Sequence, residues 1–167
     1  ANTRGILLDA ILDDADSDRV VLSNTNFICI ANRIFDDGVF YQQAESKIHA
    51  LHQLFPEDEI ELFLAIRNPA TFLPVAFAES KSLSTDDYLK GVHPTQIRWS
   101  DLVRRIQANF PMTKLTVWCN EDIPLIQSRS QTVQANSSKR STRDLGGIRN
   151  AVVISISCRR GNIVTPT

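Results

Sequence analysis

The sequence predicts a three-layer α/β domain in which a short parallel sheet is flanked by helices. Short apolar runs with the length of buried strands alternate with segments whose apolar residues recur at helical spacing. Strands that are separated by helices are expected to pair in parallel through right-handed crossovers. With 167 residues, the chain is long enough to bury a hydrophobic core without disulfides.

The first half of the chain predicts two helices and two strands. Residues 4–16 carry apolar side chains at helical spacing, and residues 19–22 form a short apolar strand that the polar residues 23–26 interrupt. Residues 43–55 place their apolar side chains on one helical face. Residues 59–66 are apolar almost throughout and give the strongest strand signal.

The second half predicts three helices and a third strand. Asn68 followed by Pro69 is typical of a helix start, because asparagine caps the free N–H groups and proline needs no donor at the first helical position. The predicted elements are a helix over 69–80, a short helix capped by Ser84, a helix capped by Ser100 or Asp101, and a strand over 114–119.

Composition divides the chain into an α/β domain at residues 1–126 and a polar tail at residues 127–167. The tail is rich in Ser, Arg, Asn, Gln and Thr without apolar periodicity, which predicts flexibility. One added strand is predicted at residues 151–156.

Net charge, hydropathy and cysteine spacing argue against several classes of function. A formal net charge of −1 gives no electrostatic case for nucleic acid, and no apolar run approaches the roughly 20 residues of a membrane helix. Cys29, Cys119 and Cys158 lack the spacing of a disulfide framework or a metal site, so we expect a cytoplasmic protein without a bound metal.

Polar residues follow each predicted strand, where ligands bind in open parallel sheets. They are Ser23 and Asn24, then Arg67 and Asn68, then Asn120, Glu121 and Asp122. If the strands are parallel, these residues share one edge of the sheet. The alternative for the last group is that it caps a following helix.

Arg67 gives the most specific indication of a ligand among these residues. It lies between a buried strand and a helix N-terminus, where free N–H groups and a guanidinium together favour phosphate or sulfate. The alternative is that Asn68 and Pro69 only cap the helix while Arg67 pairs with a carboxylate such as Glu79.

The stretch from Glu61 to Pro69, which ends in Arg67-Asn68-Pro69, resembles the second conserved block of the sulfotransferase family. The likeness covers about residues 5–126 and implies a P-loop NTPase-like core. It also implies that Arg67, with Asn68 beside it, binds the 3′-phosphate of 3′-phosphoadenosine 5′-phosphosulfate. The implied activity is transfer of a sulfuryl group from this nucleotide to an unknown acceptor.

The chain departs from the family pattern at three places. The Lys-(Ser/Thr)-Gly loop that cradles the donor's 5′-phosphosulfate has no match, so the chain is expected to lack it. Val75 stands where a serine commonly completes the 3′-phosphate site, and residues 23–26 offer no carboxylate as catalytic base. Whether the chain is active is therefore left open, and the alternative is a non-catalytic domain that binds an anion or a protein.

Overall fold

A computed structural model describes residues 19–122 and the backbone of Val152–Ser157. Its strands are β1 (Arg19–Asn24), β2 (Glu59–Ile66), β3 (Lys114–Cys119) and β4 (Val152–Ser157). The bounds of β2 and β3 are those that the sequence predicts. The predicted helix at 4–16 and the predicted domain boundary near residue 126 lie outside the described residues.

The four strands form one mixed sheet in the order β1-β4-β2-β3. β2 and β3 pair in parallel, as expected, with Ile66 opposite Cys119. The expected parallel sheet is confirmed in part, because β4 lies between β1 and β2 and is antiparallel to both. The sequence gives no sign of this insertion, since β4 comes from the chain's far end and reads as an ordinary apolar run.

Four α-helices lie within residues 19–122, and three of them are longer than two turns. They are α1 (Ala44–Leu54), α2 (Pro69–Ser80), α3 (Thr85–Leu89) and α4 (Trp99–Asn109). Asn68 caps α2 through its side chain, and Ser84 caps α3 by accepting from the Asp87 N–H. The predicted cap of α4 is wrong, since the helix begins at Trp99 and its N-cap residue Arg98 makes no side-chain capping bond.

The helices pack on one face of β2. Ile60, Leu62 and Leu64 alternate along β2 and therefore face the same side of the sheet. They share one hydrophobic cluster with every buried side chain of the four described helices. Those helical side chains are Ala44, Ile48, Phe72, Ala76, Tyr88, Trp99, Leu102 and Ile106. The described residues thus show a helical layer on a sheet, and a third layer stays a prediction.

The other face of the sheet carries charges. Glu61 of β2 pairs with Arg19 of β1 and with Lys114 of β3, whose ammonium is 2.9 Å from the Glu61 carboxylate. The Lys114 hydrogen bond is the main reason that the pKa of Glu61 is lowered. These cross-strand pairs hold the outer strands against β2.

An aromatic cluster joins the helices above the end of β2. The Phe40 ring lies 4.9 Å from Trp99 and 6.2 Å from Phe72, and Tyr41 lies 5.7 Å from Trp99, measured between centroids. Because Trp99 is buried at the start of α4, this cluster fixes how α4 meets the residues that follow β2.

Candidate functional site

The strands β1, β2 and β3 run in the same direction. β1 and β2 are each antiparallel to β4, and β3 is parallel to β2. Their carboxyl ends therefore point toward one edge of the sheet, as the site prediction requires. Residues that follow β2 and β3 are next to each other there, since neighbouring strands lie about 4.8 Å apart.

The residues Arg67, Asn68, Asn120 and Glu121 form what we call the β2–β3 rim. Its central contact joins the two strand ends: the Asn68 backbone N–H donates to Glu121 Oε1 at 2.9 Å. The Arg67 carbonyl accepts a hydrogen bond of 2.6 Å from Trp99 Nε1. The turn after β2 is thus held from β3 on one side and from α4 on the other.

Glu121 is held in its charged form. The Asn68 N–H bond is the largest cause that lowers its pKa, and the Glu121 backbone N–H and the positive charge of Arg67 lower it further. Glu121 is exposed, so water also stabilises the carboxylate. A carboxylate with a lowered pKa is a poor acceptor of protons near neutral pH, which makes Glu121 a weak general base.

The N-terminus of α2 has several of its donors engaged within the protein. Pro69 has no N–H, Asn68 Oδ1 accepts from the Ala70 N–H at 3.0 Å, and the Thr71 N–H donates to the Asn68 carbonyl at 3.0 Å. The capping alternative for Asn68 and Pro69 is therefore what the structure contains. An anion at the rim would bind mainly to Arg67 and to the Asn68 N–H that Glu121 now occupies.

Ser23 and Asn24 lie apart from the other predicted site residues. They belong to β1, although the sequence reads as a break at this point. Asn24 and Leu64 are both register partners of Val152, so they lie side by side across the sheet. Arg67 comes three residues after Leu64, on a strand two positions away from β1. It is therefore roughly 10 Å from Asn24 along the strands and roughly 10 Å across them. Asn24 instead accepts from the Asn26 N–H at 2.7 Å. The predicted site divides into a rim and a separate β1 end.

Asn120 and Asp122 lie with Glu121 in a short 3-10 helix, Asn120–Asp122, that follows β3. The structure describes the backbone of Asp122 but not the surroundings of its side chain. Of the three residues, Glu121 is the one with a described contact across to the end of β2.

None of the predicted site residues lines any of three clefts on the described surface. A small one of about 40 Å³ beyond β1 includes Cys29 and Val75, and burial raises the pKa of the Cys29 thiol to about 11. This thiol is therefore not a nucleophile near neutral pH. A second cleft, of about 430 Å³, lies beside Asn32 and Lys81. The third, of about 450 Å³, borders α4.

The residues Trp99 and Arg98 were missed as site residues. Trp99 binds the Arg67 carbonyl, and Arg98 lines the α4 cleft. No sequence motif marks either role, because both depend on how α4 docks beside the end of β2.

Three histidines lie in the described part of the chain, and each contacts another side chain. No cluster of three or more His, Cys, Asp or Glu side chains is placed to hold a metal there. His52 contacts Thr113 at 2.9 Å and stacks on Phe110, while His49 contacts Gln53. None of the described helices has the length and apolar character to cross a bilayer.

No protein-family model matches the chain, and comparisons with curated proteins and with solved structures find no match either. The β2–β3 rim and the sequence of residues 61–69 are therefore the observations that bear on a function.

Proposed function

We propose that this chain is a sulfotransferase-like protein with a P-loop NTPase-like core, and that its β2–β3 rim binds a phosphorylated nucleotide through Arg67. One observation carries the proposal: Arg67 directly follows β2 at the edge toward which three strands point, beside the N-terminus of α2. The ligand that the resemblance implies is 3′-phosphoadenosine 5′-phosphosulfate. Its acceptor is unknown.

Glu121 competes with such a ligand. Its carboxylate already accepts the Asn68 N–H at 2.9 Å and feels the charge of Arg67. A phosphate needs the same donor and the same cation, and it carries the same sign of charge as Glu121. Binding therefore requires Glu121 to turn away, so we expect weak affinity that falls as salt is added.

The rim supports binding of the donor better than transfer of its sulfuryl group. Transfer needs a base for the acceptor hydroxyl or amine, and Glu121 is a weak base because its pKa is lowered. Residues 23–26 at the end of β1 contain no carboxylate. The same facts favour the second candidate, a non-catalytic relative that binds an anion.

Titration calorimetry with 3′-phosphoadenosine 5′-phosphate tests the proposal. We expect binding to the full chain that Arg67→Ala reduces at least tenfold, because the phosphate loses its bidentate partner. Arg104→Ala is the matched control, since Arg104 is an exposed arginine of α4 that pairs with Asp101. Equal binding by the wild type and Arg67→Ala, or no binding by the wild type, would contradict the proposal.

Turnover of a labelled donor separates the two candidates. The sulfotransferase candidate predicts transfer of the labelled sulfuryl group to an acceptor, with release of 3′-phosphoadenosine 5′-phosphate, at a rate that depends on Arg67. The non-catalytic candidate predicts nucleotide binding with no release above the uncatalysed rate, and no change in that rate when Glu121→Gln removes the nearest described carboxylate of the rim.

A further inference from the structure

A cleft of about 450 Å³, which we call the α4 groove, lies between three segments outside the rim. They are the turn that contains Gly38, the loop after α3 that contains Gly91, and the first half of α4. Its size is in the range of sites for small organic molecules. The lining residues that matter below are Val39, Phe40, Val92, Arg98, Asp101 and Arg105.

One wall of the groove is fixed by the carboxylate of Asp36, which is the buried charged residue in the described part of the chain. Asp36 accepts from Arg33 Nε at 2.7 Å, from Gln43 Nε2 at 3.1 Å and from Lys90 Nζ at 2.8 Å. Because Lys90 ends α3, this contact ties the turn at residues 36–38 to the loop on the other side of the groove.

The same turn is tied to α4 by Arg105. One Arg105 nitrogen, Nη2, donates to the carbonyls of Phe40 and Tyr41 at 3.0 and 2.9 Å. Arg105 Nε lies 2.7 Å from Glu45 of α1. The three segments around the groove are thus cross-linked by charged side chains, and little rearrangement is needed before a ligand binds.

The backbone of these segments is unusual. Five of the six residues with positive φ among residues 19–122 lie there: Asp37 at 50°, Gly38 at 70°, Tyr41 at 54°, Lys90 at 47° and Gly91 at 84°. Positive φ is costly for a bulky residue such as Tyr41, and such conformations cluster at functional sites. A Cβ at Gly38 would be 3.3 Å from the Lys90 carbonyl oxygen, so the two walls approach closely there.

The charges of the groove are balanced except for one. Lys90 pairs with Asp36, Arg105 pairs with Glu45, and Asp101 pairs with Arg104 at 2.8 Å. The Arg98 carbonyl accepts from the Asp101 N–H at 3.2 Å, whereas the exposed Arg98 side chain makes no hydrogen bond or ion pair with another described residue. Among the described residues, its guanidinium is therefore a cation without a counterion, at a groove that Val39, Phe40 and Val92 line in part.

We propose that the α4 groove binds a small organic carboxylate, with Arg98 holding the carboxylate and the apolar body lying on Val39, Phe40 and Val92. Arg98 supplies the charge complementarity, because a guanidinium binds a carboxylate through two parallel hydrogen bonds. Val39, at 37% exposed, is a large apolar side chain open to a ligand. This site is independent of the rim and of the proposed nucleotide.

Titration with naphthalene-2-acetate, followed in ¹H–¹⁵N NMR spectra of the full chain, tests the proposal. We expect saturable shifts of the Gly38 and Gly91 amide signals, with a Kd on the order of 1 mM for a ligand of this size. The neutral analogue naphthalene-2-acetamide should bind more weakly, because it offers Arg98 no charge.

Arg98→Ala should weaken binding of the carboxylate about tenfold. Its fold should be unchanged, since the Arg98 side chain makes no capping bond. Lys47→Ala, which removes an exposed cation of α1, is the control and should bind like the wild type. The proposal is overturned if the two glycine signals do not move, if the amide binds as well as the carboxylate, or if Arg98→Ala binds normally.

Discussion

Replacing Asp36 by asparagine removes a buried charge that joins three segments of the described fold. The carboxylate is only 12% exposed, and it accepts hydrogen bonds from Arg33, Gln43 and Lys90. An asparagine has the same shape, but one of its two polar atoms is an NH₂ group. That group must face either Lys90 or the pair Arg33 and Gln43, all of which are donors.

The cost follows from the exposure of the partners. Arg33 and Lys90 are 51% and 44% exposed, so water can solvate them once the charge is lost. Each of these pairs is therefore worth nearer the 1 kcal/mol of a surface ion pair than the 3 kcal/mol of a buried charged bond. With the unfavourable donor contact added, we expect Asp36→Asn to lower the free energy of unfolding by about 2–3 kcal/mol at pH 7.

The effect should depend on pH with a definite sign. The Lys90 hydrogen bond is the main cause that lowers the pKa of Asp36 in the folded protein. Its stabilisation is therefore complete above the unfolded-state pKa of about 3.9 and is lost as the pH falls through the lower folded-state value. The difference between wild type and Asp36→Asn should be constant from pH 7 to about 5 and should shrink below about pH 4.

Urea unfolding followed by circular dichroism at several pH values measures this difference. Asp37→Asn is the control, because Asp37 is exposed and asparagine tolerates its positive φ of 50°. Asp37→Asn should change stability by less than about 0.5 kcal/mol. Equal losses for the two variants, or a difference for Asp36→Asn that stays the same at pH 3, would show that the Asp36 charge does not stabilise the fold through these bonds.

Three further results are expected. Trp99→Phe should lower the free energy of unfolding by about 2–3 kcal/mol in urea titrations, because the Arg67 carbonyl loses its donor and the smaller ring leaves a gap. A loss below about 0.5 kcal/mol would mean that this hydrogen bond contributes little. Glu121→Gln should raise the affinity for 3′-phosphoadenosine 5′-phosphate about fivefold in low-salt calorimetry by removing a like charge, and unchanged affinity would place the phosphate elsewhere. Ile48→Ala, at a fully buried site of α1, should lower the free energy of unfolding by about 2–5 kcal/mol. Leu83→Ala, at a 99% exposed site, is the control and should change it very little. Similar losses for the two variants would contradict the assigned core.

Local patterns in the sequence predict most of the described elements. The helical spacing of residues 44, 48, 51 and 55 predicts α1, and the structure buries Ala44, Ile48 and Phe55. Asn68 with Pro69 predicts the start of α2, and Ser84 predicts the start of α3. These signals depend on interactions between residues that are close in sequence, so they do not depend on how distant parts of the chain fold.

Features that depend on contacts between distant parts of the chain cannot be predicted from local sequence patterns. The position of β4 between β1 and β2 pairs segments more than 85 residues apart in the chain, and no turn or spacing specifies it. The start of α4 at Trp99 depends on the aromatic cluster and the Arg67 carbonyl rather than on a capping residue. The pairing of Asn68 with Glu121 likewise follows from the register of β2 and β3.

We propose that Arg67 and the Asn68 N–H form an anion site from which a ligand displaces Glu121. An NMR titration with 3′-phosphoadenosine 5′-phosphate observes both groups directly, through the Arg67 Nε–H and Asn68 amide signals. Both signals should shift along one saturation curve, and the Asn68 signal of Glu121→Gln should saturate at lower nucleotide concentration. Stationary Arg67 and Asn68 signals at nucleotide concentrations that shift signals elsewhere would contradict it.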